Sequence, residues 1–254
     1  MTAVRSLRLV AADGELVPPG DGCPCGVVWL TRPDTAVPAT DGWLSCAESD
    51  RAAAMTVPAR VAGWRLRRWT AKEALGEVLG PALGWRCDIE IANDADGAPQ
   101  ARWCGERLPF ALSLTDRAGW AACALAPARI VVGCDLELLE PRSRLFVSDW
   151  FTPAEQAIVA GAADPVLAAN LVWSAKESAL KVLRAGLRRP TRSVEVRVDP
   201  DAVGVVFEPL VVSLGEGGEL AGWWRRLGPY VFTVAHRGGE PVGPPTFLGG
   251  PVPG

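Results

Sequence analysis

Ile130-Val131-Val132-Gly133-Cys134-Asp135-Leu136-Glu137, with Trp173-Ser174-Ala175-Lys176-Glu177-Ser178-Ala179-Leu180-Lys181 further along, decides the reading of this chain. The first stretch has period two: Ile130, Val132, Cys134 and Leu136 share one face, and Val131, Gly133, Asp135 and Glu137 the other. It predicts a strand whose far end projects two carboxylates side by side. A hard cation such as Mg²⁺ makes that arrangement favourable, and a strand end running out into solvent explains it equally well. The second stretch belongs to a helix over Leu171–Leu183, with Val172, Ala175, Ala179 and Val182 as its apolar stripe and Trp173, Glu177 and Lys181 on a neighbouring face. Asp164-Pro165 marks a start and Gly186 a C-terminal cap. Taken alone, Glu177 and Lys181 make an ordinary surface pair contributing about 0.3–0.5 kcal/mol.

Outward from this core the elements thin out. Residues 26–30, 110–115 and 120–125 predict strands, the last two joined by a turn at 116–119, and further strands fall near 193–198, 203–213 and 230–236. Helices are expected over 46–54, over 61–75 with a break at Pro58, and as a pair within about 153–185 after a short loop. Polar and turn residues dominate between 94 and 107. Residues 1–25 predict an irregular N-terminal arm, 26–126 and 127–237 two lobes, and 238–254, with six Gly and five Pro, a disordered tail. The fold class is α+β, two similar lobes each with helices on a small sheet, although no repeat is strong enough to prove duplication.

Composition narrows the function. The chain has 254 residues, 49% hydrophobic and 22% charged, with no uncharged apolar run of membrane-spanning length. A net charge of −3 gives no chain-wide field for nucleic acid. Charges at Arg5, Arg8, Asp13 and Glu15 break up any signal-peptide core, which predicts a cytoplasmic protein. Seven cysteines lack zinc spacing, and Cys23-Pro24-Cys25 is read as reduced bystander thiols ahead of a metal or redox pair. The one histidine, His236, is read as a strand-end residue ahead of a base. Only three of 26 cationic residues are lysines, Lys72, Lys176 and Lys181, where a compact ammonium is favoured over a guanidinium. Arg65, Arg68 and Lys72 line one face of the 61–75 helix, a solvated stripe ahead of a phosphate-binding one.

Together the two stretches resemble the 4′-phosphopantetheinyl transferase superfamily, whose signatures are a G-[IV]-D-[IVL]-E strand and a W-[ST]-x-K-E-[AS]-x-x-K helix; Cys134 is the one departure. Phe151-Thr152-Pro153-Ala154-Glu155 resembles the family's F-[ST]-x-x-E segment, and the length resembles the two-lobed, monomeric Sfp type, two α/β lobes in pseudo-twofold arrangement around mainly antiparallel sheets. The resemblance implies Mg²⁺-dependent transfer of phosphopantetheine from coenzyme A to a serine of an acyl or peptidyl carrier protein of polyketide or nonribosomal peptide synthesis, leaving adenosine 3′,5′-bisphosphate. Asp135, Glu137 and Glu177 would hold Mg²⁺, with Mn²⁺ as an alternative; Lys181 and Lys176 would meet the diphosphate. Glu177 would act as base ahead of Glu155, whose segment also fits a helix capping box. Ser113 and Thr115, with Arg68 and Lys72, would contact coenzyme A. Leu114 and Ala98 replace the family's usual histidine and lysine, and a non-catalytic relative that binds carrier protein or nucleotide is the alternative reading.

Overall fold

Ser45 and Thr152 start the architecture in each half. Each caps a helix by accepting from the backbone N–H three residues on, and the glutamate at that position, Glu48 or Glu155, returns a bond to the cap's own N–H. The computed structural model describes residues 26–80, 86–185, 188–238 and 242–254. The expected N-terminal arm and the Gly186 cap lie outside them.

The first lobe runs β1 (Val28–Pro33), α1 (Cys46–Ala53), α2 (Pro58–Leu79), β2 (Ile89–Asn93), β3 (Pro99–Trp103), β4 (Glu106–Arg107), β5 (Phe110–Arg117) and β6 (Trp120–Pro127). The second runs β7 (Val131–Leu138), α3 (Arg144–Trp150), α4 (Pro153–Gly161), α5 (Pro165–Val182), β8 (Val194–Val198), β9 (Glu208–Leu214), β10 (Glu219–Leu227) and β11 (Tyr230–Arg237). A last strand, β12 (Thr246–Phe247), returns to β1. Sheet order is β12-β1-β6-β5 with a separate β2-β3-β4 in the first lobe, and β7-β11-β10-β9-β8 in the second. Apart from the parallel β12–β1 pair, the strands of each lobe pair antiparallel.

The lobes meet sheet to sheet, with helices outside. Trp29, Ala122 and Ala124 of one lobe and Val132, Cys134, Leu136, Phe232 and Val234 of the other form one buried cluster, in which Trp29 stacks on Phe232 with ring centroids 5.0 Å apart. A second cluster lies under α2 and a third under α5. The strand edges also touch: Cys134 N–H donates to Ser113 Oγ (2.9 Å) and Thr115 Oγ1 donates to Asp135 Oδ1 (3.0 Å).

Several sequence expectations need correction. The 238–254 tail is not disordered over its described part: β12 pairs parallel with β1, Phe247 lies against Trp29, and Thr31 Oγ1 donates to Pro251 O. Pro58 starts α2 at its first turn, where a missing N–H costs nothing. β2, β3 and β10 were hidden by interleaved charges, yet Ile89, Ile91, Leu220 and Trp224 point inward at period two. α3 replaces a loop; none of its residues is buried, so it carries no core pattern. Val203, Val205 and Val206 are exposed and precede β9.

The repeat is real. The stretch Trp69-Thr70-Ala71-Lys72-Glu73-Ala74-Leu75 in α2 mirrors Trp173-Ser174-Ala175-Lys176-Glu177-Ser178-Ala179 in α5, and both halves follow the order strand, two helices, antiparallel strands once α3 and the edge strand β4 are set aside.

Candidate active site

Gly133 determines how near α5 can lie to β7. A Cβ there would stand 2.1 Å from Ser178 O and 3.0 Å from Val182 N, so only glycine permits this approach. Beneath the helix, Ser174 and Ser178 share hydrogen bonds with Thr233 of β11, fixing the helix rotation. Asp164 Oδ1 caps α5 through Val166 N and Leu167 N. The outcome is that Glu177 and Lys181 face Asp135.

Lys181 Nζ donates to Asp135 Oδ1 (3.0 Å) and to Cys134 O (2.8 Å). Asp135 Oδ2 and Glu177 Oε1 are buried without a hydrogen-bond partner. Burial, then the charge of Asp135, raises the Glu177 carboxyl above its ordinary range, and Lys181 only partly offsets this. Glu137 is raised by burial and by Asp135 as well, against the pull of Arg142 and Arg117. Partial burial lowers Lys181, but Asp135, Cys134 and Glu177 more than reverse that and leave it above the ordinary lysine range.

Two desolvated acceptor oxygens without donors, beside mutually repelling carboxylates, suit a divalent cation with oxygen ligands. Asp135 and Glu177 are the pair that fits. Glu137 is turned aside: Trp173 Nε1 donates to its Oε1 (3.1 Å), Arg142 to its Oε2 (3.0 Å), and Arg117 lies 3.5 Å away. Among the described residues no three His, Cys, Asp or Glu side chains form a finished ligand set, and of the three expected carboxylates Asp135 and Glu177 keep the unpartnered oxygens.

Three expected site residues sit elsewhere. Lys176 is fully buried, donating to Glu155 Oε1 and Val194 O (both 2.6 Å), and burial pushes its pKa down. Glu155 is equally buried and also accepts from Thr152 N and Val196 N, so it is an internal fastening and reaches no solvent proton. Lys72 repeats this in the first lobe, its ammonium enclosed by Glu48, Trp43 O and Arg86 O. The solvated stripe therefore fails: Lys72 and Arg68 are buried, and Arg65 pairs with Asp41.

A cleft of about 680 Å³ runs between the lobes beside Lys181. Ser113, Leu114 and Ala98 line one wall, Arg184 and Arg188 the other. A recess of about 660 Å³ adjoins it past Gly97, Pro99 and Leu114, lined by Arg51, Arg67 and Arg68. Arg68 reaches Asn93 Oδ1 (2.6 Å) and stacks over Trp64; burial lowers it to about 10. Thr115 acts on the site only through Asp135. His236 is buried in β11, as the strand reading expects.

Sequence reasoning missed Arg142, Arg117, Arg184 and Arg188. Its nearest available signal was the helix end. Arg184 takes the left-handed conformation (φ 53°) at the cap assigned to Gly186, and α5 stops at Val182.

The profile of the 4′-phosphopantetheinyl transferase superfamily matches residues 30–126 and again 131–233. A 2.31 Å crystal structure of a holo-(acyl-carrier-protein) synthase from Bacillus anthracis str. Ames in complex with CoA (3′,5′-ADP) is 18% identical, covering 40% of this chain and 93% of that one, with a TM-score of 0.33. No curated protein matches the sequence.

Proposed function

Since the chain belongs to the 4′-phosphopantetheinyl transferase superfamily, we propose that it moves phosphopantetheine from coenzyme A to a serine of an acyl or peptidyl carrier domain, releasing adenosine 3′,5′-bisphosphate. The observation that carries this is the pair of buried, unpartnered oxygens, Asp135 Oδ2 and Glu177 Oε1, next to Lys181 at the inter-lobe cleft.

The serine oxygen forms a bond to the phosphorus that bears pantetheine while the bridging oxygen of the diphosphate departs with the nucleotide. Glu177 takes the hydroxyl proton, directly or through a bound water. Lys181, held by Asp135, offsets charge on the departing phosphate. Asp135 and Glu177 would hold Mg²⁺, which when bound supplies neutralisation of the diphosphate. Glu137 stands behind them and orients Trp173 and Arg142. Both lobes that line the cleft belong to one chain, so a monomer can assemble the whole site. No described helix is long and apolar enough to cross a membrane.

The test is intact-mass analysis of an apo carrier domain incubated with the protein, coenzyme A and Mg²⁺, with and without EDTA. A gain of one phosphopantetheine that EDTA prevents is expected. No gain on any carrier while coenzyme A still binds would replace this reading with the non-catalytic one, for which the uncharged Leu114 and Ala98 are the supporting observation.

A further inference from the structure

We propose that Arg188, reaching from the second lobe, holds the lone ribose phosphate of coenzyme A, with Arg184 behind it; this rests on the transferase reading. Such a donor carries two separate anions, a diphosphate and a monoester. Lys181, already on Asp135, belongs to the diphosphate end. The first-lobe wall offers the monoester one cation, Arg107, which stands 3.8 Å from Asp94; Ala98, Ala111, Leu112 and Leu114 beside it are uncharged. The opposite wall carries two guanidiniums in unlike states. Arg184 is neutralised across the cleft by Asp94 (3.1 Å) and Asp96 (3.2 Å). Arg188 has only carbonyl acceptors, Ala185 O (3.2 Å), Arg184 O (3.2 Å) and Asp96 O (3.3 Å), and none of the described ion pairs includes it.

Two of those bonds fall on Nη2 and one on Nε, so Nη1 is unengaged among the described residues. An exposed guanidinium with long, neutral bonds and a spare edge can exchange them for the paired oxygens of a phosphate, the geometry its planar fork matches. The bond to Asp96 O already carries it over to the 96–98 turn, where the first lobe provides no cationic side chain. In the adjoining recess Arg67 is tied to Asp116 and Arg68 to Asn93, which leaves Arg51 there and Arg107 in the cleft as the rival anchors.

Calorimetry on the full chain with coenzyme A and with 3′-dephospho-coenzyme A separates these possibilities, using wild type, Arg188→Ala, Arg51→Ala and Arg107→Ala, each checked for an unchanged melting midpoint; loss of preference in Arg107→Ala with Arg188→Ala unchanged would overturn the proposal. Wild type is expected to prefer coenzyme A about tenfold, ~1.4 kcal/mol. Arg188→Ala should abolish that preference and leave dephospho-coenzyme A affinity within about twofold, while Arg51→Ala keeps the preference. Equal weakening of both ligands in Arg188→Ala would make the arginine a clasp between lobes and overturn the proposal. So would a wild type without preference, or loss of preference in Arg51→Ala alone. Binding of neither ligand to wild type would instead remove the transferase reading on which the proposal stands.

Discussion

The two lobes carry the same helix on different strands. Lys72 with Glu48 and Lys176 with Glu155 are the same fastening: a capping-box glutamate that also accepts a strand N–H, from Ile91 in one lobe and Val196 in the other, and a lysine buried against it. Placing β6 on β11 by their pairing sets Leu30 opposite the place of Asp135, Arg32 at that of Glu137 and Val28 at that of Gly133. Glu73, the counterpart of Glu177, is then bonded by Arg32 and Arg86, whereas Glu177 keeps an unpartnered oxygen. The shared Trp-x-x-Lys-Glu run is thus a folding device, and its glutamate keeps an unpartnered oxygen only where the neighbouring strand provides a carboxylate and a glycine.

If the lysines are fastenings in both lobes, removing either should act alike. Lys176→Met and Lys72→Met each strand a buried carboxylate and should cost ~3–5 kcal/mol of stability in urea denaturation. With the protein kept folded, the KM for coenzyme A should not rise in either variant. A KM rise in Lys176→Met alone, with stability unchanged, would return Lys176 to the phosphates and break the equivalence.

Where the lobes differ, the effects should diverge. Asp135→Ala or Glu177→Gln is expected to lower transfer about a thousandfold, ~4 kcal/mol on the barrier, while Glu73→Gln leaves transfer within about twofold. Carrier modification followed by mass spectrometry checks it. Equal losses from Glu73→Gln and Glu177→Gln would mean that the first lobe takes part in the chemistry.

The strand Ile130–Glu137 and the helix over Leu171–Leu183 were legible because each has an unbroken period, and Asp164-Pro165 marks where the helix starts. Their periods also grouped Asp135, Glu177 and Lys181, which the structure places as neighbours. Lys176 and Glu155 were misassigned since a motif residue serving the fold looks the same in one dimension as one serving the reaction. The duplicated Trp69–Leu75 run could have separated them, because a lobe without Asp135 still keeps its lysine. Arg188 had no signal: its importance lies in what it does not pair with, and pairing is a property of the folded cleft.

Proton competition sharpens the contrast more gently. Glu177 and Glu137 titrate above their ordinary range, each chiefly through burial. Their protonated forms therefore support the fold below the ordinary carboxylate pKa, and that support is lost as pH rises through the raised values. A cation at Asp135 and Glu177 replaces it, so the Mg²⁺-induced rise in melting midpoint, about 2–4 °C per kcal/mol of binding, should grow as pH rises through the raised carboxylate range. Asp135→Ala should remove the rise throughout. A rise that is independent of pH, or that survives in Asp135→Ala, would place the cation elsewhere.

The smallest difference concerns one tryptophan repeated in both helices. Trp69 lays its ring edge on Trp43, 5.3 Å between centroids, and serves packing. Trp173 packs against Phe146 and Trp150 but also donates to Glu137 Oε1. Trp173→Phe keeps most of the apolar contact and removes that donor, worth about 1 kcal/mol to a charged acceptor that Arg142 still holds. Transfer should fall by about fivefold with stability little changed, and Trp69→Phe should leave transfer alone. If Trp173→Phe matches Trp69→Phe in both readouts, Glu137 is positioned by its arginines alone and the tryptophan is packing in either lobe.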